Sequence, residues 1–241
     1  MRKFVTVLLL VFAHFANAQS VDNEKRKIEN QINEASSSFS KAEYEKSLDL
    51  SKKALVRAFK INDDYLIAYA YNAIGVVYDE FSDSKRAIEF YNKALAHANN
   101  IENDRLKNWI YGNLGSSYYF SKNDPKEGLH YYKKSLEYAL KINDSTQIAY
   151  TKQNIASAFF AISDFKTGIR YVNDVQDFVD RKGEQEAKYT QNSLLGIYNS
   201  NTNQPQAAED YFHKAIGIAE TNKLKNFLVN AYDNLQDHYS R

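Results

Sequence analysis

The chain has 241 residues, no cysteine and a formal net charge of +1, from 31 basic and 30 acidic residues. This balance gives no electrostatic basis for binding nucleic acid or an anionic membrane surface, and the lack of cysteine excludes disulfides and thiolate metal sites. Glycine (8) and proline (2) are scarce, so the composition favours α-helix.

The first eighteen residues have the layout of a secretory signal peptide. A basic start at Arg2 and Lys3 precedes an apolar stretch over residues 4–12, and a small-residue cleavage pattern ends at Ala18. This predicts export, with cleavage between Ala18 and Gln19. The apolar stretch is shorter than the about 20 residues that a membrane-spanning helix needs, so a retained anchor is the less favoured alternative. We expect the mature chain, which has no other candidate span, in the periplasm or at the cell surface of a Gram-negative bacterium.

The rest of the chain repeats at a period of about 40 residues. Small residues fall at Gly75, Gly115, Ala156 and Gly196, at steps of 40, 41 and 40. A second series has similar spacing and consists of Ala54, Ala94, Ser135, Val175 and Ala215. Both series lie among apolar and aromatic residues at helical spacing, so each repeat is predicted to contain two helices, A and B.

The predicted helices follow one another in strict alternation. The A helices are expected at roughly 22–40, 64–81, 105–121, 146–162, 185–200 and 225–240. The B helices are expected at roughly 43–61, 84–101, 125–142, 165–182 and 205–222. Helix starts are marked by capping residues: Asp124 is a candidate N-cap before Pro125, with Glu127 as its capping-box partner.

The sequence therefore predicts two segments. Residues 1–18 form a signal peptide, and residues 19–241 form one helical-repeat domain. The repeats are expected at about 22–62, 63–103, 104–144, 145–184 and 185–224, with a half repeat at 225–241. The last helix A has a complete core pattern and no helix B after it. We interpret this as the end of a fragment of a longer protein, with a degenerate capping helix as the alternative.

Five of the eight glycines occupy two positions of the repeat. Gly75, Gly115 and Gly196 lie within A helices, and Gly128 and Gly168 lie near the starts of B helices. A glycine inside a helix costs about 1 kcal/mol relative to alanine. Its recurrence in register therefore predicts that helices A and B approach each other closely at these places.

The order of small and aromatic residues resembles the tetratricopeptide repeat. The best copy consists of Tyr71, Ile74, Gly75, Tyr78, Ala87, Tyr91 and Ala94. Repeats of about 40 residues are similar to a longer subtype found in bacterial peptide-sensing and signalling proteins, although Asn-Asp replaces the usual proline after helix B. The resemblance covers about residues 22–241 and implies an all-α fold, a right-handed α-solenoid of antiparallel helix hairpins with about five and a half repeats.

The sequence contains no pattern of catalytic or metal-binding residues. The four histidines after the first eighteen residues fall in different repeats and have no paired spacing: His97, His130, His213 and His238. There is no HExxH, GxSxG or phosphate-binding loop. We therefore predict no enzyme activity, no cofactor and no metal.

The predicted ligand groove is the face of the A helices that points away from helix B, because the resemblance implies that A helices line a concave face. At helical spacing this face carries Tyr69, Asn72, Val76, Trp109, Ser116, Tyr119, Phe120, Tyr150, Gln153 and Phe160. Tyr69, Trp109 and Tyr150 occupy equivalent places in three repeats, which predicts an aromatic ladder that holds an extended or helical peptide. The alternative is that these rings pack between neighbouring A helices.

The sequence as a whole predicts a non-catalytic scaffold, exported across the inner membrane, that binds a protein or peptide. The alternative is the periplasmic sensor ectodomain of a larger membrane signalling protein, a histidine kinase or a helix-turn-helix regulator, since chains that resemble this one often continue in that way. We expect no nucleic-acid partner through this region.

Overall fold

A computed structural model describes the backbone of residues 2–240 and the side chains of residues 19–240 apart from Asn226. The described chain is helical between short turns. Its elements are α1 (Arg2–Ser40), α2 (Tyr44–Lys60), α3 (Asp64–Glu80), α4 (Ser84–Ala98), α5 (Asp104–Ser116), a π-helix (Ser117–Ser121), α6 (Pro125–Lys141), α7 (Ser145–Ala161), α8 (Phe165–Asn173), α9 (Gln176–Lys182), α10 (Gln185–Asn201), α11 (Pro205–Thr221) and α12 (Lys225–Tyr239).

The helices form two compact units, Met1–Leu106 and Lys107–Arg241, and the boundary falls within α5. In the N-terminal unit α1 contacts α2 and α3, α2 contacts α3, and α3 contacts α4. In the C-terminal unit α7 contacts α8 and α10, and α10 contacts α11 and α12. Each unit is thus a stack of helix hairpins, as helical repeats require. The predicted all-α hairpin fold is confirmed; α1, α3, α5, α7, α10 and α12 are the A helices.

Most of the turns between helices have the same three-residue form. After α2, Asn62 adopts a left-handed conformation with φ of 52°, and the Asp63 N–H donates to the Ala58 carbonyl at 3.3 Å. The Asp63 side chain then accepts a hydrogen bond from the Leu66 N–H at 3.0 Å and caps α3. One aspartate therefore closes the first helix and starts the second. Left-handed residues recur at Ala42, Asn62, Ser82, Asn123, Asn143, Ser163, Asn203 and Lys223.

The predicted capping box at the start of α6 is only half formed. The Asp124 side chain accepts a hydrogen bond from the Glu127 N–H at 3.1 Å, and Pro125 is the first helical residue, as predicted. A complete box needs the Asp124 N–H to donate to the Glu127 side chain. That N–H donates instead to the Tyr118 carbonyl at 2.8 Å, because the turn after the π-helix already uses it.

The first predicted helix starts earlier than expected. A start near residue 22 was predicted, whereas α1 begins at Arg2 and ends at Ser40. The predicted signal peptide at residues 1–18, with its cleavage after Ala18, falls on side chains outside the described residues and stays a prediction. Among the described residues, no helix has the length and apolarity that crossing a bilayer requires.

The prediction of a single helix at 165–182 is wrong. α8 ends at Asn173 and α9 begins at Gln176. At the break, the side-chain amide nitrogen of Gln191 donates to the Val172 carbonyl at 2.9 Å and to the side-chain oxygen of Gln176 at 2.7 Å. Gln191 is 1% exposed, so a buried amide from α10 bonds to a carbonyl whose backbone donor at the break, the Val175 N–H, lies 3.4 Å away.

The glycines confirm the predicted close approach of helices A and B. A Cβ atom at Gly75 would lie 2.5 Å from Cε1 of Tyr91, and one at Gly196 would lie 2.5 Å from Cε1 of Phe212. Both rings are buried, so a side chain at these glycines meets a packed ring that has little room to move.

In the fourth repeat the glycine lies in helix B and the aromatic ring comes from helix A. Ala156 replaces the glycine of helix A, and it shares a core cluster with Val172, where the second, third and fifth repeats have a ring. The space is filled by the ring of Phe160 from the same helix, which lies directly against the Cβ position of Gly168. In the fourth repeat a glycine in helix B thus makes room for a ring from helix A, the reverse of the arrangement at Gly75 and Gly196.

The third repeat contains one extra residue, which the π-helix absorbs. The left-handed turn residue comes seven positions after the recurring small residue in three repeats, at Ser82, Ser163 and Asn203, and eight positions after Gly115, at Asn123. The Lys122 N–H donates to the Ser117 carbonyl, five residues back, at 3.1 Å. This i→i−5 bond is the signature of a π-helix, which accommodates an inserted residue without ending the helix.

Candidate ligand pockets on the A helices

Open pockets lie along the A helices of each unit. The first pocket, about 200 Å³, lies in the N-terminal unit and is lined by Ser36, Phe39, Ser40, Ser47, Tyr69, Asn72, Ala73 and Val76. The second pocket, about 290 Å³, lies in the C-terminal unit and is lined by Tyr119, Ser157, Phe160, Ala161, Ser163, Phe165, Leu194, Ile197 and Asn201. The third pocket, about 150 Å³, lies beside the second and is lined by Ile197, Ser200, Asn201, Phe212, Asn234, Asp237 and His238.

The first pocket contains three of the predicted groove residues, Tyr69, Asn72 and Val76. The Tyr69 hydroxyl donates to the side-chain oxygen of Asn33 at 3.0 Å, which ties α3 to α1. Burial raises the pKa of Tyr69, so the hydroxyl stays protonated and can act as a donor at neutral pH. No charged side chain is among the described residues that line this pocket.

The second pocket has Tyr119 on one side and Leu194 and Ile197 on the other. The Tyr119 hydroxyl lies 3.5 Å from the Ser157 carbonyl, at the limit of a hydrogen bond, and burial raises its pKa. Phe120 stands beside Tyr119 with ring centroids 4.5 Å apart, edge to face. Phe120 is 72% exposed, so an apolar ring projects into solvent next to this pocket.

The third pocket differs from the other two in carrying an acidic side chain. Nδ1 of His238 lies 2.8 Å from the Ser200 hydroxyl, and its ring lies 5.8 Å from that of Phe212. Asp237 is exposed at the edge. Among the described lining residues of the three pockets, Asp237 is the one aspartate, glutamate, lysine or arginine, so this end favours a cation.

Gln153 and Phe160, both predicted on the open face, are interior residues, exposed by 1% and 6%. The Gln153 amide nitrogen donates to the Ala187 carbonyl at 2.9 Å and to the side chain of Gln191 at 3.0 Å, so it joins α7 to α10. Phe160 turns toward helix B because Gly168 leaves space for its ring. Phe160 also contributes to the lining of the second pocket.

The predicted aromatic ladder spans residues of both units and stays a prediction. Tyr69 belongs to the N-terminal unit, and Trp109 and Tyr150 belong to the C-terminal unit. The Tyr150 hydroxyl donates to a carboxylate oxygen of Glu184 at 3.0 Å, and burial together with this carboxylate raises its pKa. Trp109 is half-buried. Ser116 accepts a hydrogen bond from the Tyr132 hydroxyl at 3.2 Å.

Sequence reasoning missed several residues that line the pockets, such as Phe39, Leu194 and Asn201. A signal for others was present in the repeat itself. The residue directly after the recurring small residue, which is Ala35 in the first repeat, lines a pocket in four repeats: Ser36, Val76, Ser157 and Ile197. Of these, Val76 was among the predicted groove residues. Their common position in the repeat is enough to predict that they line the same face, because equivalent residues point the same way in each helix A.

The described side chains contain no group of three or more acidic, histidine or cysteine residues placed to hold a metal ion.

Comparison with known proteins agrees with this architecture. Residues 68–99 match the tetratricopeptide repeat family. No curated protein matches the chain by sequence.

Several solved structures have the same fold. The apo form of RapI is 14% identical with a TM-score of 0.71, over 89% of this chain and 82% of RapI. BtubC from P. vanneervenii is 18% identical with a TM-score of 0.68, over 86% of this chain and 90% of BtubC. The Rap conjugation gene regulator of the plasmid pLS20, in complex with the Phr* peptide, is 14% identical with a TM-score of 0.67, over 89% of this chain and 62% of the regulator. At such low identities the likeness concerns the fold. Residues 68–99 thus match a tetratricopeptide repeat, and the chain as a whole has the fold of tetratricopeptide-repeat structures.

Proposed function

We propose that this protein is a non-catalytic scaffold that binds a protein or peptide in the pockets of its A helices. The observation that carries the proposal is the chemistry of the first two pockets. Their described linings combine aliphatic and aromatic side chains with hydroxyl and amide groups and contain no charge. Such a lining buries apolar side chains and offers hydrogen bonds to a peptide backbone.

The comparisons support the same proposal. The pLS20 regulator, which shares the fold, binds a peptide, Phr*. The tetratricopeptide repeat matched at residues 68–99 indicates no catalytic family. A repeat fold presents an extended concave surface, so binding is the activity that this architecture supports best.

The proposal includes export, which the basic, apolar and small-residue pattern of residues 1–18 supports. The alternative is a sensor ectodomain of a larger membrane signalling protein, in which the same pockets would bind the signal. An apolar stretch of about 20 residues encoded after codon 241 would favour the sensor.

The binding proposal is tested by selecting a displayed library of random 12-residue peptides against the full chain. We expect enriched sequences whose binding is weakened about tenfold or more when Val76→Glu and Ile197→Glu place charges in the first and second pockets. A selection that enriches no sequence, or peptides that bind the double variant as well as the parent, would refute the proposal.

A further inference from the structure

The one-residue insertion of the third repeat has built a feature that the described parts of the other A helices lack. It lies in the π-helix Ser117–Ser121 and brings Tyr119 and Phe120 to the end of this helix A. We name these two residues the aromatic pair. Phe120 is more exposed than any other large hydrophobic side chain that the structure describes. A π-helix that turns an apolar ring into solvent is a frequent mark of a functional site.

A glycine in helix B accommodates this arrangement. A Cβ atom at Gly128 would lie 2.9 Å from Cβ of Tyr119 and 3.0 Å from the Gly115 carbonyl oxygen. The equivalent positions in the second and fifth repeats are Ala87 and Ala208, which carry a Cβ. The π-helix therefore depends on Gly128. It places the backbone of Tyr119 so close to α6 that a side chain at position 128 would clash with it.

The aromatic pair adjoins the largest of the three pockets. Tyr119 forms one wall of the second pocket, and Leu194 and Ile197 form the opposite wall. Phe120 contacts the Tyr119 ring edge to face and is free to cover a side chain that enters. The hydroxyl of Ser157 and the amide of Asn201 lie in the same lining.

We propose that the aromatic pair and the second pocket form the anchor site of this scaffold, which takes one large aliphatic or aromatic side chain of a peptide. This inference rests on the proposed peptide-binding function and specifies where and how the peptide is held. A carboxylate or ammonium group in this pocket would lose its hydration and find no countercharge in the described lining. An apolar side chain meets no such penalty and gains contact with the aromatic and aliphatic side chains of the lining.

The neighbouring pocket sets the charge preference beside the anchor. The second and third pockets share Ile197 and Asn201, so a peptide anchored in the second pocket passes into the third. Asp237 and His238 line the third pocket. A neutral or basic residue next to the anchor is therefore preferred over an acidic one.

The test compares single variants of the full chain. Peptides are selected from the displayed library of random 12-residue peptides, and the best one is labelled and titrated by fluorescence anisotropy. Phe120→Ser removes the exposed ring, and Ile197→Asp puts a charge into the second pocket. Phe81→Ser is the matched control, because Phe81 is another exposed phenylalanine at the end of an A helix. Circular dichroism checks that each variant is folded.

We expect the enriched peptides to share a Leu, Ile, Met, Phe, Tyr or Trp position and to be poor in acidic residues. Phe120→Ser and Ile197→Asp should each weaken binding by about tenfold or more, whereas Phe81→Ser should change it by less than about threefold. Replacing the anchor residue of the peptide by alanine should remove the difference between Phe120→Ser and the parent, because the two groups interact directly.

The failures of the two proposals are distinguishable. Enriched peptides that bind both Phe120→Ser and Ile197→Asp as well as the parent would overturn the anchor site while leaving the scaffold function in place. Enrichment of peptides that are rich in acidic residues would also overturn the anchor site. A selection that enriches no peptide would overturn both proposals.

Discussion

Replacing Gly196 by alanine tests the close approach of helices A and B. Gly196 lies in α10, and a Cβ atom built on it would be 2.5 Å from Cε1 and 2.6 Å from Cδ1 of Phe212 in α11. Phe212 is 2% exposed, so its ring is held by the surrounding core. Alanine therefore forces the ring or the two helices to move apart.

Two opposing effects set the size of the change. Overpacking a core by one methyl group typically costs about 1–3 kcal/mol, and the contact at Gly196 is far shorter than van der Waals distance. Alanine also stabilises a helix interior by about 1 kcal/mol relative to glycine. We expect the packing effect to dominate, and the free energy of unfolding to fall by up to about 2 kcal/mol.

Gly217→Ala is the matched control, since Gly217 lies within α11 and its Cβ position has no atom within 4 Å apart from the adjacent backbone of its own helix. This variant should raise the free energy of unfolding by about 0.5–1 kcal/mol through helix propensity alone. Urea unfolding followed by circular dichroism at 222 nm measures both variants. If Gly196→Ala stabilises the protein as Gly217→Ala does, the helices have room for a methyl group and the packing argument is wrong.

Three further predictions concern other parts of the chain. Gln191→Leu should destabilise the protein by about 1–3 kcal/mol, because the Val172 carbonyl loses its buried donor, and hydrogen exchange should speed up around the break between α8 and α9; unchanged exchange would contradict this role. Hydrogen bonds from His97 and then Asn100 lower the pKa of Asp64 below 3.8. The contribution of the Asp64 carboxylate to the free energy of unfolding is therefore present above the unfolded-state pKa, and it is lost as pH falls through the folded-state pKa. The difference in stability between the parent and Asp64→Asn should shrink in acid, and a difference that grows there would refute the assignment. In a Gram-negative host the exported protein should begin at Gln19 by N-terminal sequencing, and an intact N-terminus at Met1 would reject the signal peptide.

The helices and their period were predictable because the information that sets them is local. Helix starts such as Asp124-Pro125 combine a capping side chain with a residue suited to the first turn, and both effects act within a few residues. The glycines at positions 75 and 196 were also informative, because a recurring helix-weakening residue has to be compensated by packing.

The break in the fourth helix B was not predictable from local pattern. Residues 165–182 have the composition of a continuous helix, and the break depends on the Gln191 side chain, which arrives from the next helix A. The inserted residue of the third repeat was visible as a step of 41 residues. The position of the π-helix that absorbs it depends on the contact between Tyr119 and Gly128.

Half of the ten predicted groove residues line a pocket: Tyr69, Asn72, Val76, Tyr119 and Phe160. Which of the ten side chains are exposed to a pocket depends on the residues that they contact in helix B and in the next helix A. Phe160 is buried because Gly168 makes room for its ring, and Gln153 is buried because its amide bonds to Ala187 and Gln191.

By itself the sequence determined that this protein is a repeat of helix hairpins about 40 residues long, because hydrophobic period, capping residues and recurring small residues all act over short distances. Only the tertiary structure decided which side chains of the A helices are used in packing and which line pockets. That division is made by contacts between different helices, where the size of one residue, such as Gly128 or Gly168, sets the direction taken by an aromatic ring on another.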